Sequence, residues 1–145
     1  MRISQVLAAK PSQDVVTVSP DANVRDLLGL LAEHNVGALV VSTDGSHLDG
    51  IVSERDVVRR LHEDDGLLGA KVSSIMTTDV RTCEGNAAVN DLMQLMTEHR
   101  VRHVPVVDGD AVVGIISIGD VVKSRMQELE FERDQLDSYV HSAQT

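Results

Sequence analysis

The sequence predicts an α+β fold made of two copies of a strand-helix-strand-strand-helix unit, followed by an extended C-terminal helix. Two spaced repeats and a late uninterrupted helical run predict it. Gly50-Ile51-Val52-Ser53-Glu54-Arg55-Asp56, followed by Val57-Val58, returns 64 residues later as Gly114-Ile115-Ile116-Ser117-Ile118-Gly119-Asp120, followed by Val121-Val122. Upstream, Val24, Asp26, Leu27, Leu30, Glu33, His34 and Val36 return at a spacing of 65 as Val89, Asp91, Leu92, Leu95, Glu98, His99 and Val101. One residue was therefore gained or lost between helix and strand. Two copies of so long a period mark a duplicated subdomain rather than a solenoid, and each copy alone is too small to be more than marginally stable. The predicted units are residues 1–66, a first repeat with its N-terminal lead-in; 67–126, the second repeat; and 127–145, the helical extension.

In chain order, residues 3–9 form one amphipathic turn that Lys10-Pro11-Ser12 ends. Residues 15–18 have the β-branched content of a short strand. Ser19-Pro20 offers an N-cap and a proline at the first helical position. Val24, Leu27, Leu28 and Leu31 then fall on one helical face, which ends near Asn35-Val36-Gly37. Residues 38–42 and 48–52 read as hairpin strands around Asp44-Gly45, and Ser53 opens a helix reaching Leu61 or His62. A polar break at 63–66 precedes a short segment at 67–70 and an entry turn at 72–76.

The second copy follows the same plan. Residues 80–82 are a strand; Val89, Leu92, Met93 and Met96 form a helix face; 103–107 and 112–116 are strands about Asp108-Gly109-Asp110. The last helix has no break after Met126 and runs to about Val140. Val122, Met126, Leu129, Leu136 and Val140 make a heptad-like seam interrupted by Arg133, expected to pack on this chain or on a second copy.

Composition narrows the function. The net charge is −10, and Phe131 and Tyr139 are the only aromatic residues, so neither repeat has a ring on which to stack a base. Single-stranded nucleic acid is held on stacking aromatics over a basic groove and duplexes on a basic surface, so nucleic acid is not an expected partner. Cys83 is the single cysteine, which permits no internal disulfide and suits a reducing cytoplasm. The first residues show no signal-peptide pattern and no run approaches a membrane span, so a soluble cytoplasmic protein with no membrane partner is expected.

Ser53-x-x-Asp56 and Ser117-x-x-Asp120 fit a helix-start capping box with a carboxylate at its third position. The same geometry also suits a nucleotide. Free backbone N–H groups at a helix start attract phosphate, and a carboxylate one turn in accepts hydrogen bonds from a ribose diol. Both readings stand together. Arg55 lies inside the first motif, and Arg100, Arg102 and His103 form a positive cluster in an acidic chain, which favours an anionic ligand. His34 and His99 are each read as neutralising a helix C-terminus.

These features resemble a tandem pair of cystathionine-β-synthase (CBS) domains, a Bateman module, over nearly all of residues 1–126. The resemblance is carried by Gly37-Ala38-Leu39-Val40-Val41 with Gly50-Ile51-Val52-Ser53-x-x-Asp56, by Val101-Arg102-His103-Val104-Pro105-Val106-Val107-Asp108 with Gly114-Ile115-Ile116-Ser117-x-x-Asp120, and by Ile75-Met76-Thr77 leading the second copy. It implies two repeats packed sheet to sheet in pseudo-twofold symmetry, two clefts that bind adenosine nucleotides, and a homodimer. It also implies that Asp56 and Asp120 hold ribose hydroxyls, that Ser53 and Ser117 face phosphate, and that Arg102 and His103 are further phosphate ligands. The base would lie among backbone and aliphatic groups around Val16 to Val18, Ala38 to Val40, Arg81 to Cys83 and Val104 to Val106, which include Thr17, Leu39, Thr82 and Pro105.

The second copy has Arg102-His103 and Pro105 where the first has Gly37-Ala38 and Val40, so the second site is expected to be the tighter. The resulting expectation is a non-catalytic sensor of AMP, ADP or ATP that requires no cofactor and signals to an unknown effector protein. The competing reading is a ligand-free assembly module. An enzyme is disfavoured: the histidines show no HExxH pattern, there is no CxxC, and Cys83 reads as a buried structural thiol.

Overall fold

The computed structural model describes residues 1–12 and 14–143, so the last two residues of the predicted 127–145 extension lie outside the described residues. The elements are α1 (Ile3–Ala8), β1 (Thr17–Val18), α2 (Val24–His34), β2 (Ala38–Val41), β3 (Gly50–Ser53), α3 (Glu54–Leu61), β4 (Cys83–Glu84), α4 (Val89–His99), β5 (His103–Asp108), β6 (Ala111–Ser117) and α5 (Ile118–Ala143), with 3₁₀ turns at Leu67–Gly69 and Val72–Ser74. Each repeat builds a three-stranded sheet, β1-β2-β3 and β4-β5-β6. In both, the first pair is parallel and the second an antiparallel hairpin.

Several boundaries differ from the sequence reading. Helix α2 starts at Val24 rather than after Ser19, because Asn23 is the cap, its side chain accepting from Asp26 N at 2.8 Å. Residues 19–22 instead form their own turn, and the backbones of Pro20 and Ala22 accept from Ser73 and Val72 at 3.0 and 2.8 Å. Tertiary pairing overrides a good local cap signal there. The strand expected at 15–18 keeps only Thr17–Val18, and that expected at 80–82 is displaced to Cys83–Glu84, where the parallel register to Val106 and Val107 holds it. Strand β3 likewise starts at Gly50 rather than at 48 and runs on to Ser53. Met93 is 37 % exposed, so the buried face of α4 is Val89, Leu92 and Met96.

All four residues of β2 are buried. Leu39 and Val41 enter the helix-side core, whereas Ala38 and Val40 point to the opposite face of the sheet, as strand alternation requires. Burial on both faces is what sheet-on-sheet packing produces. The two copies meet where the His103 ring lies 3.4 Å from where a Gly37 Cβ would sit, and where Val112 N donates to Ser46 O at 2.9 Å.

The lead-ins cross between repeats. Ile3 and Val6 complete the second core with Leu92, Val104 and Ile116, while Leu67, Val72 and Ile75 complete the first with Leu27, Leu39 and Val52. A division at residue 66 therefore follows chain order and not packing. Each lead-in crosses a glycine of the hairpin strand it covers. A Cβ at Gly50 would lie 2.7 Å from Thr77 O and 3.0 Å from Met76 Sδ, whereas one at Gly114 would meet only the flexible end of Leu7. Gly50→Ala is expected to cost about 1–3 kcal/mol by overpacking against backbone, and Gly114→Ala less; urea denaturation of both variants checks the order.

Helix α5 buries Val121 and Ser124, but Val122, Met126, Leu129, Leu136 and Val140 are all exposed. Its seam does not pack on this chain, which removes one of the two coverings expected for it.

Candidate functional site

Both Ser-x-x-Asp motifs form the helix-start boxes. Asp56 Oδ2 accepts from Ser53 N at 2.8 Å and from its hydroxyl at 3.2 Å. Asp120 Oδ2 accepts from Ser117 N at 2.9 Å, and Ser117 Oγ accepts from Asp120 N at 3.1 Å. In each carboxylate Oδ1 takes no part in the box. Each helix start is also tied to the strand beside it, Glu54 N donating to Gly37 O at 3.0 Å and Ile118 N to Arg102 O at 2.8 Å.

A cavity of about 240 Å³ opens at the first of these starts, and both repeats line it. The first contributes Ala38, Ser53, Arg55 and Asp56. The second contributes Arg102 and His103. Arg102 and His103, expected at the second site, thus also reach the first: they line its cavity, while Arg102 O accepts from Ile118 N and His103 pairs in register with Ser117 at the second helix start. The start of β5 lies beside its own helix start, and the facing arrangement of the sheets brings it against the helix start of the other repeat too.

The charge distribution is strongly local. Arg55, Arg59, Arg81, Arg100 and Arg102 all line this cavity, five of the ten arginines in a chain of net charge −10, facing Glu54, Asp56 and Asp79. Arg100 holds a left-handed backbone conformation, φ 53°, at the end of α4, which a non-glycine residue adopts at some cost. His103 is pushed below its ordinary pKa of 6.5 by burial, with Arg102 and Lys10 acting the same way and Glu54 and Asp120 opposing. It is therefore a neutral imidazole at pH 7.

The remaining expected ligands are dispersed. Leu39 and Val104 belong to the helix-side cores and cannot face a ligand with their side chains. Thr17 pairs with Val40 in β1, Pro105 is buried in β5 beside the Cys83 thiol, and Thr82 is exposed outside any strand. None of the five lines the cavity. Ser117 and Asp120 do not line it: they stand at the other helix start, Ser117 paired in register with His103, and Asp120 borders a separate space of about 60 Å³. Burial raises the Cys83 thiol to about 11, which keeps it protonated and a poor nucleophile.

Sequence reasoning did not select Arg59, Glu54 or Asp79 as ligands, and placed Arg81 only in a segment around the base, not as a charged ligand. Arg59 had a legible signal, since it follows Asp56 at i+3 and so shares its helix face. Asp79 had none, nor had the charge of Arg81, because only the crossing of the lead-in brings them over the first repeat.

The CBS domain family matches residues 3–63 and 72–127. The chain is 38% identical over 125 residues to the mitochondrial CBS domain-containing protein CBSX3 of Arabidopsis thaliana, covering 83% of this chain and 61% of that relative's length. The crystal structure of the CBS-domain containing protein ATU1752 from Agrobacterium tumefaciens superposes with a TM-score of 0.81 at 40% identity, over 86% of this chain and 99% of the other. The CBS domain pair of protein MJ0100, solved in complex with 5'-methylthioadenosine and S-adenosyl-L-methionine, shares the fold with a TM-score of 0.76 at 23% identity, over 85% and 98%. With both repeats matched by family and by fold, the chain belongs to the CBS domain family as a tandem pair.

Proposed function

We propose that this CBS pair is a non-catalytic regulatory module that binds an adenine nucleotide, AMP, ADP or ATP, in the cavity between Asp56 and Arg102. The observation that carries the proposal is the gathering of five arginines around Ser53 and Asp56 in an otherwise acidic chain. Asp56 Oδ1 accepts from the ribose diol, the α3 start and Ser53 meet the first phosphate, and Arg102 and its neighbours take the remaining charge. The same fold holding adenosine derivatives in protein MJ0100 supports this reading. The arginines favour phosphates over the cationic sulfonium of S-adenosylmethionine.

A ligand so placed touches both repeats and biases their relative packing, provided it binds one arrangement better than the other. The response passes to an effector protein, with a homodimer as the working assembly and a reducing cytoplasm as its setting. Calorimetric titration with AMP, ADP, ATP and S-adenosylmethionine tests the proposal: saturable binding of a phosphate-bearing nucleotide is expected, and binding of none, or of S-adenosylmethionine alone, contradicts it.

His103 gives the binding a pH dependence. Its depressed pKa leaves it neutral in the free protein, and a phosphate nearby favours the imidazolium, so binding takes up a proton. Affinity therefore rises as pH falls through the higher His103 pKa of the bound state, by at most about tenfold per unit, and levels off below the depressed pKa of the free protein. Calorimetry in buffers of different ionisation enthalpy counts that proton, and His103→Gln is expected to abolish it.

A further inference from the structure

We infer that Lys10 is a built-in occupant of the second cleft, so that each chain takes one nucleotide, in the first cleft only; this rests on the reading given under Proposed function. The pseudosymmetry of the lead-ins makes the comparison direct. At an offset of 69 residues Ile3 matches Val72, Val6 matches Ile75 and Leu7 matches Met76, each pair playing the same part in its core or over its glycine. The same offset sets Lys10 against Asp79. The two clefts therefore carry opposite charges at one equivalent position.

The hydrogen bonds show what the change does. In the first repeat Ile51 exchanges two backbone bonds with Thr77, both 2.9 Å. In the second, the O of Ile115, the counterpart of Ile51, accepts from Lys10 Nζ at 2.8 Å. The same ammonium lies 3.3 Å from Asp120 Oδ2, the oxygen that also closes the Ser117 box. Both side chains are only about a quarter exposed, 25% and 26%.

The space beside Lys10 and Asp120 is a niche of about 60 Å³ between the lead-in and α5, closed off from Ser117 and from the facing repeat and without any of the five cavity arginines, against about 240 Å³ beside Asp56. A ribose seeking Asp120 Oδ1 meets a carboxylate whose charge an ammonium already offsets from its other oxygen, with the lysine stem beside it. Lys10 thus makes a duplicated fold bind as a single site.

Equilibrium dialysis against radiolabelled AMP, ADP and ATP reads this as a stoichiometry. Wild type is expected to plateau at one nucleotide per chain, and Lys10→Ala at two, the added site vanishing in Lys10→Ala combined with Asp120→Ala. Lys10→Met, which keeps the apolar stem of the side chain, is expected to behave as Lys10→Ala does. A wild-type plateau at two overturns the inference while leaving the proposed function intact, as does a plateau at one for both variants. A second site present in wild type and lost in Lys10→Ala would make Lys10 a phosphate ligand, and also overturns it. No binding of any of the three nucleotides, to wild type or variants, removes the proposed function and this inference together.

Discussion

Asp56→Ala is expected to weaken adenine-nucleotide binding by about a hundredfold, and Asp120→Ala by less than about threefold. The first figure is the low end for losing two hydrogen bonds to a carboxylate, at about 1.5 kcal/mol each and about 1.4 kcal/mol per tenfold. The second follows from position: Asp120 borders a space separate from the arginine-lined cavity and is already engaged by Lys10. Each substitution also removes a capping box at a cost of about 1 kcal/mol, so affinities are to be compared where both variants remain fully folded by circular dichroism. Equal losses from the two variants would contradict the assignment of the site to the first cleft.

Ile3→Ala is expected to lower stability by about 3 kcal/mol, a large effect for a residue so near the N-terminus. Ile3 is fully buried in the second core although it precedes the whole of the first repeat. In a chain of this size that corresponds to a fall in melting temperature of roughly 10 °C, measurable by calorimetry. Val72→Ala, its counterpart in the first core, is expected to act in the same direction. If Ile3→Ala changed the melting temperature by under about 2 °C, the crossing of the lead-ins would not be a stabilising feature of the fold.

The crossing also explains which parts of the site were legible in sequence. The boxes at Ser53 and Ser117, the hairpins around Gly45 and Gly109 and the apolar faces of α2 and α4 are local, and local patterns report them faithfully. Asn23 displaced Ser19 as a cap because residues 20–22 pair with residues 72–73, which no local pattern contains. Which cations meet which aspartate is a question of the same kind. Arg102 and His103 lie in the second repeat by sequence, yet they share a cavity with Asp56 because the sheets face one another. The role of Lys10 was hidden for the same reason: it reads as the end of a turn until the lead-in is seen folded over β6.

Five of the chain's ten arginines thus converge on one of two similar helix starts, and a lysine holds the other. The most direct measurement is a crystal structure of the protein grown with the tightest of AMP, ADP and ATP. A nucleotide with its ribose on Asp56 and its phosphates among Ser53, Arg102 and His103, and Lys10 still on Asp120, is the predicted result. A nucleotide seated on Asp120 instead, or bound outside both clefts, would contradict the account.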